Sequence, residues 1–303
     1  MISLFLTIIG ALVFPGMISI TKAKMSGRKG PTLFQPYKDI LRLLNKGSVY
    51  STTTSWVFQF APVVYIASVI GACLMIPFGN HANGLISFEG DFLLFAYMLA
   101  LGKFIMIISA LDTGSGFEGM GANREALYSM LVEPAFFIII GSLAMLSGYS
   151  SFNQMFIHFH LESYVAFLYA AIAVYVLIQI SLIENSRLPV DDPKTHLELT
   201  MVHEVMILDN SGFDLAIIHI AGALKFAIYG GLVANLIVSP LHLGFLASAA
   251  LFILTQVVFA ITIGLSESFR ARLKMTYNPQ YILTLFGISL LAFFTVFIIT
   301  QTI

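Results

Sequence analysis

Two lysines stand where a hydrocarbon environment forbids charge. Lys103 lies within LALGKFIMIIS and Lys225 within AGALKFAIYGG. An ammonium facing lipid near the bilayer centre costs at least about 2.5–3.5 kcal/mol, so a carboxylate or water must offset each one. Glu133, directly before Pro134, and Glu184, at the end of an apolar run, are the candidate partners. Lysines turned inward onto a hydrated polar path, with carboxylates at its mouth, form a set of groups that can exchange protons. Snorkelling of Lys103 to the interface is the competing reading, and it requires a displaced helix boundary.

A second supply of ionisable groups lies in segment 184–214. Glu184, Asp191, Asp192, Glu198, Glu204, Asp209 and Asp214 face only Arg187 and Lys194 there. Crowded, partly buried carboxylates can trade protons near neutral pH, as a proton entry site requires. A solvated acidic face that docks a basic partner is the plainer reading. His196 and His203, seven residues apart, fall on one face of a helix that Asp192 would cap with Pro193 at its first position. Without a third firm ligand, proton buffering or hydrogen bonding ranks above metal binding, and no metal site is expected.

Two other patterns fail on context. Gly114-Ser-Gly116-Phe-Glu-Gly119 fits G-x-G-x-x-G but follows an apolar run instead of a strand, so a flexible glycine loop is expected. His203-Glu204 starts like a zinc-protease motif, yet Ile207 occupies the second ligand position. The single cysteine, Cys73, rules out a disulfide framework and a cysteine-ligated cluster within this chain.

The elements that position these groups follow from composition. Of 303 residues, 58% are hydrophobic and 10% charged, against roughly a quarter charged in a soluble protein. The expectation is one all-α integral-membrane domain over residues 1–303. Apolar runs at 2–20, 57–78, 92–111, 134–149, 163–183, 215–238, 243–264 and 281–301 supply eight transmembrane helices. None alternates as a barrel strand does. Lys22, Lys24, Arg28 and Lys29 follow the first run, which reads as an uncleaved anchor. Segments 21–56, 112–133, 184–214 and 265–280 hold thirteen of the fifteen Lys and Arg residues. They are expected in the cytoplasm, with both termini outside. At about 1.5 Å per residue, Lys103 and Lys225 lie about 12 and 15 Å deep. Residues 31–46 place Leu33, Tyr37, Ile40, Leu41 and Leu44 on one helical face, the pattern of an amphipathic helix in the interface.

These segments resemble the H-type membrane subunit (subunit 1) of the respiratory complex I family. The likeness is closer to the membrane subunit of energy-converting nickel–iron hydrogenases, the hydrogenase-4 and formate hydrogenlyase group. Four stretches carry it. Arg28, Gly30, Pro31, Gln35, Pro36, Asp39 and Arg42 match the G-P…Q-P-x-x-D-x-x-K-L segment, with Arg42 replacing lysine. Leu111–Ser115, Gly121-Ala-Asn-Arg-Glu125 and Leu131-Val-Glu-Pro134 resemble the hydrogenase branch. Glu184-Asn-Ser-Arg-Leu-Pro-Val-Asp191 matches E-x-x-R-x-P-F-D, with Val190 replacing phenylalanine, and Glu267, Arg270 and Arg272 fit the segment before the last span. Of three spaced glutamates in the complex I loop only Glu198 is kept, since Lys194 and His196 occupy the first two positions; Asp209-Asn-Ser-Gly212 stands in place of E-Y-S-G.

The resemblance implies a subunit that is not catalytic alone. It would anchor a cytoplasmic arm of hydrogenase large, small and iron–sulfur subunits to antiporter-like membrane subunits in a bacterial or archaeal cytoplasmic membrane. Iron–sulfur clusters and the nickel–iron site would sit in those partners and no cofactor in this chain; nucleic acid is not an expected partner. Proton-coupling candidates are Lys103, Glu133, Glu184, Asp191, Glu198, Glu204 and Lys225, of which Lys103, Glu204 and Lys225 rest on the physical reading. Arg28, Gln35, Asp39, Arg124, Arg187, Asp209, Arg270 and Arg272 are expected at partner interfaces or in structural roles. The alternative is an NADH- or other donor:quinone oxidoreductase subunit that forms a quinone chamber. An autonomous transporter lacks the support of an inverted repeat, and an inert anchor predicts that the buried charges are dispensable.

Overall fold

In a computed structural model of the chain, residues 2–79, 84–161, 164–192 and 201–302 are described. Among them are eleven α-helices and no β-strand: α1 (Ile2–Met25), α2 (Gln35–Leu44), α3 (Trp56–Cys73), α4 (Asp91–Asp112), α5 (Gly116–Ser147), α6 (Phe152–Ile157), α7 (Tyr164–Glu184), α8 (His203–Met206), α9 (Gly212–Val238), α10 (Phe245–Phe269) and α11 (Asn278–Thr302). Eight helices are long and apolar enough to cross a membrane: α1, α3, α4, α5, α7, α9, α10 and α11. Lipid demands this architecture, because a helix satisfies its backbone hydrogen bonds internally.

Helix α9 is the hub. It packs on α1, α3, α7 and α10, and α2 lies against it. Its enclosure buries an all-round apolar surface that includes Ala216, Ala221, Phe226, Ala227, Ile228, Leu232 and Leu236. Around it α4 pairs with α3, and α11 with α5. Local chemistry sets several ends. Ser55 accepts the Val57 N–H at 3.2 Å and starts α3, while Gly148, at φ 77, ends α5. Asp91 accepts from Ser151 Oγ at 3.0 Å and Phe152 N at 2.7 Å, tying the start of α6 to the start of α4. Gly212 holds φ 52 where a Cβ would run into the Gly47 carbonyl, so the chain after α2 passes directly over the start of α9.

One expected element is corrected. Segment 112–133 is not a loop: helix begins at Gly116, and α5 runs 32 residues. That is about 48 Å against a hydrocarbon core of about 30 Å, so the helix extends well beyond the lipid. The glycines of the G-x-G-x-x-G pattern from Gly116 onward are helical instead of forming turns. Glu118, Arg124, Glu125 and Glu133 depress the hydropathy of this stretch, yet Gly121, Ala122, Glu125, Tyr128, Ser129 and Val132 recur at helical spacing and are buried. Pro134 falls inside the helix instead of at its start. The amphipathic helix is present as α2, with Pro36 in its first turn and none of its residues buried.

Candidate functional site

Four ionisable side chains from four helices meet inside the bundle. Lys103 of α4 lies 3.1 Å from Glu125 of α5 and 3.0 Å from Glu184 at the end of α7. Glu184 Oε2 is 2.7 Å from Lys225 of α9, whose Nζ also donates to the Glu184 carbonyl at 2.9 Å. Lys225 is 1% exposed, Glu125 3%, Lys103 6% and Glu184 9%. The formal charges cancel in the order Glu125, Lys103, Glu184, Lys225. Both lysines therefore face inward, and each finds a carboxylate that offsets its transfer from water. Ser186, held at φ 48, donates to Glu125 Oε2 at 3.2 Å and closes the acidic end of the chain.

Small residues make the approach possible. A Cβ on Gly102 would meet Ser68 and Tyr65 of α3, and one on Gly121 would meet the Val202 carbonyl and the Met206 N–H. The second contact brings α8, and with it His203, against α5. His203 shares a cavity of about 50 Å³ with Tyr65, Lys103, Glu125, Glu184 and Lys225, room for ordered water. Burial holds the imidazole down at about 4, with Glu125 pulling the other way. At neutral pH the ring is uncharged, with one nitrogen that donates and one that accepts.

Two openings flank this array. On one side, a cavity of about 310 Å³ runs past His203, Glu204, Ser186 and Phe226 to Pro15 and Pro36, alongside α2. On the other, Glu133 joins Lys103, Glu184 and Tyr229 around a smaller cavity, and a groove of about 630 Å³ between α4 and α5 also reaches Lys103 and Glu133.

The remaining expected residues fall into separate clusters. Asp191 is almost fully buried: Oδ1 meets Arg272 at 2.7 Å and accepts from Asp192 N, while Oδ2 accepts the Val202 and His203 N–H groups at 3.2 Å. Burial pushes its carboxyl up, against the pull of Arg272 and these N–H donors. Arg124 donates to the Met201 carbonyl at 2.9 Å. Together they pin the segment that carries His203. Arg187 lies 3.3 Å from Glu267 and over the Phe226 ring at 5.2 Å, and Lys22 contacts the same Glu267 at 2.9 Å. Arg270 donates to Gln179 at 2.9 Å. The Asp209 N–H donates to buried Glu118 at 2.9 Å. Gln35 and Arg42 both reach Asp39 on the exposed face of α2, and Arg28 lines a surface groove with Lys22 and Lys29.

The structure thus brings together Lys103, Glu184 and Lys225, with Glu204 at the entrance beyond His203. Glu133 forms no ion pair among the described residues; it lies mid-helix, two turns from Glu125, and lines a cavity with Lys103 and Glu184. Glu198, with Lys194 and His196, lies outside the described residues. Sequence reasoning missed Glu125 as a site residue, and also Glu118 and Glu267. The seven-residue spacing of Glu118 and Glu125, two helical turns, was the available signal once the stretch is read as helix. Among the described residues no group of three or more His, Cys, Asp or Glu converges on a metal position.

A family model described as NADH dehydrogenase matches residues 1–299. The chain is 27% identical over 292 residues to formate hydrogenlyase subunit 4 of Escherichia coli K12, covering 93% of both chains. It is 34% identical over 140 residues to hydrogenase-4 component C of the same organism, 45% of this chain and 43% of that one. A chain of the membrane-bound sulfane sulfur reductase, an archaeal respiratory membrane complex, has the same fold: the TM-score is 0.79 at 18% identity, over 97% of both chains.

Proposed function

This chain belongs to the NADH dehydrogenase family, and from that premise we propose that it is the membrane anchoring and coupling subunit of a multi-subunit energy-converting hydrogenase of the formate hydrogenlyase type. In this reading, electron transfer through the iron–sulfur clusters and nickel–iron site of a cytoplasmic arm drives proton or sodium movement, and this chain joins that arm to antiporter-like subunits. The membrane is the cytoplasmic one, with the basic segments inside and both termini outside. The near full-length match to formate hydrogenlyase subunit 4 supports the branch.

The observation that carries the coupling role is the buried chain Glu125, Lys103, Glu184 and Lys225. A dry hydrophobic anchor has no need of four balanced charges at this depth, each of which is costly unless paired. Alternating carboxylates and ammoniums with uncharged His203 beside them can hand a proton along when one member changes partner. Asp191, Arg124 and Arg272 tie the His203 segment to the surface where an arm would dock, so a movement there reaches the array mechanically. Glu204 would stand at the entry and Glu133 at the exit.

The cavity beside α2, about 310 Å³ and lined partly by Pro15, Ile218 and Phe226, favours a second reading, a quinone-reducing complex in which an elongated amphiphile enters there. Gentle extraction of the complex separates the two. Nickel in the preparation, with hydrogen evolution or uptake, supports the hydrogenase reading. Quinone reduction without nickel or hydrogen activity overturns it. Ion transport by the isolated chain in liposomes would instead mark an autonomous transporter.

A further inference from the structure

At the end of the bundle away from the basic segments, two imidazoles meet from distant parts of the chain. His160 lies in the connector after α6, and His242 follows the 3-10 turn Ser239–Leu241 at the end of α9. His160 Nδ1 and His242 Nε2 are 3.3 Å apart. The ring planes are inclined by 31° with centroids at 5.3 Å, and both residues are exposed. His242 holds φ 44 and ψ 39, a left-handed conformation uncommon for a residue with a side chain.

The separation is informative. Two ligand nitrogens around a tetrahedral zinc ion, at bond lengths of about 2.0–2.1 Å, stand about 3.3–3.4 Å apart. The nitrogens are farther apart than the roughly 2.9–3.0 Å at which N–H donors ordinarily settle on an acceptor. At 3.3 Å the two ring nitrogens are within hydrogen-bond reach of each other, and the same separation fits two ligands of one tetrahedral cation. We infer that His160 and His242 form a two-histidine site for a borderline divalent transition cation of the zinc, nickel or copper class, which imidazole nitrogen suits. Water completes the coordination, so the ion is exchangeable. A bound cation staples the connector after α6 to the end of α9, the helix that carries Lys225. His158, two residues from His160, is engaged elsewhere: its ring stacks on Tyr149 at 4.3 Å.

The test uses the full chain, purified in detergent without a polyhistidine tag. Zinc binding is measured by titration calorimetry at neutral pH, and nitrogen coordination by paramagnetic resonance of bound copper(II). The parent is expected to bind one zinc ion and to show two coordinating nitrogens. His160→Gln and His242→Asn, the latter chosen because asparagine tolerates the left-handed conformation, each weaken zinc binding on the order of tenfold or more and leave one nitrogen. His158→Gln retains parental binding. The proposal is overturned if the parent binds no more zinc than the His160→Gln/His242→Asn double variant. Parental binding by either single variant, or an equal loss in His158→Gln, overturns it as well.

Discussion

Replacing Glu184 by glutamine removes one charge from the central array while keeping the side chain's size. The carboxylate is bracketed by Lys103 at 3.0 Å and Lys225 at 2.7 Å. With an effective dielectric of about 20, each unit pair at about 4 Å is worth roughly 4 kcal/mol. Sparing the carboxylate its own desolvation returns part of that. Lys103 keeps Glu125 at 3.1 Å, but Lys225, 1% exposed, keeps only uncharged acceptors, the backbone carbonyl at that position and the new amide oxygen. One uncompensated buried charge remains, and breaking such a pair costs about 3–5 kcal/mol. The assembled complex carrying Glu184→Gln is expected to lose thermal stability and to translocate fewer ions per electron in proteoliposomes. Adding Lys225→Met restores neutrality and recovers part of the stability, with a coupling of roughly 0.5–3 kcal/mol. A Glu184→Gln complex with parental melting and parental ion-to-electron ratio refutes the reasoning. A double variant whose loss equals the sum of the singles removes the Glu184–Lys225 contact from it.

Three further outcomes follow from the same geometry. Glu125→Gln, which leaves Lys103 with Glu184 as its one carboxylate, is expected to uncouple turnover from ion movement with a smaller stability loss than Glu184→Gln; comparing melting and ion transport in the two complexes checks this order. Asp191→Asn weakens the contacts to Arg272 and to the Val202 and His203 N–H groups, so amide exchange in residues 201–206 should accelerate while α9 stays protected. His203, held at about 4 in the fold against an ordinary value near 6.5, stays uncharged when folded and takes up a proton more readily when released. Its contribution is therefore complete above about pH 6.5 and is lost as pH falls toward about 4. Exchange of the same segment, corrected for intrinsic rates, should rise across that window and flatten in His203→Gln.

How much was legible in the sequence varied with the range of the interaction involved. The eight spans and the amphipathic α2 follow from local periodicity and apolar content, because each helix must satisfy lipid on its own. The burial of Lys103 and Lys225 followed too, since exposure to lipid at that depth is too costly. Residues 116–133 read as a loop by average hydropathy, which four charged residues lower, whereas the buried face that makes them helical is visible at helical spacing only. Glu184 was found because it ends an apolar run next to a recognisable motif. Pro134 reads as a helix start in the sequence, which points to Glu133 at the mouth and leaves Glu125 outside the bundle, whereas the helix in fact begins at Gly116.

The order of the array was beyond reach of the sequence. Lys103 and Glu184 are 81 residues apart, and Lys225 and Glu184 are 41 apart. Their meeting depends on how α4, α5, α7 and α9 rotate against one another and on where Gly102 and Gly121 let backbones close in. Composition along the chain determined which segments leave water and which charges would need partners. Only the packed bundle decided which partners those are, because long-range Coulomb pairing is set by helix rotation and close approach, and neither is encoded in the spacing of residues along a single helix.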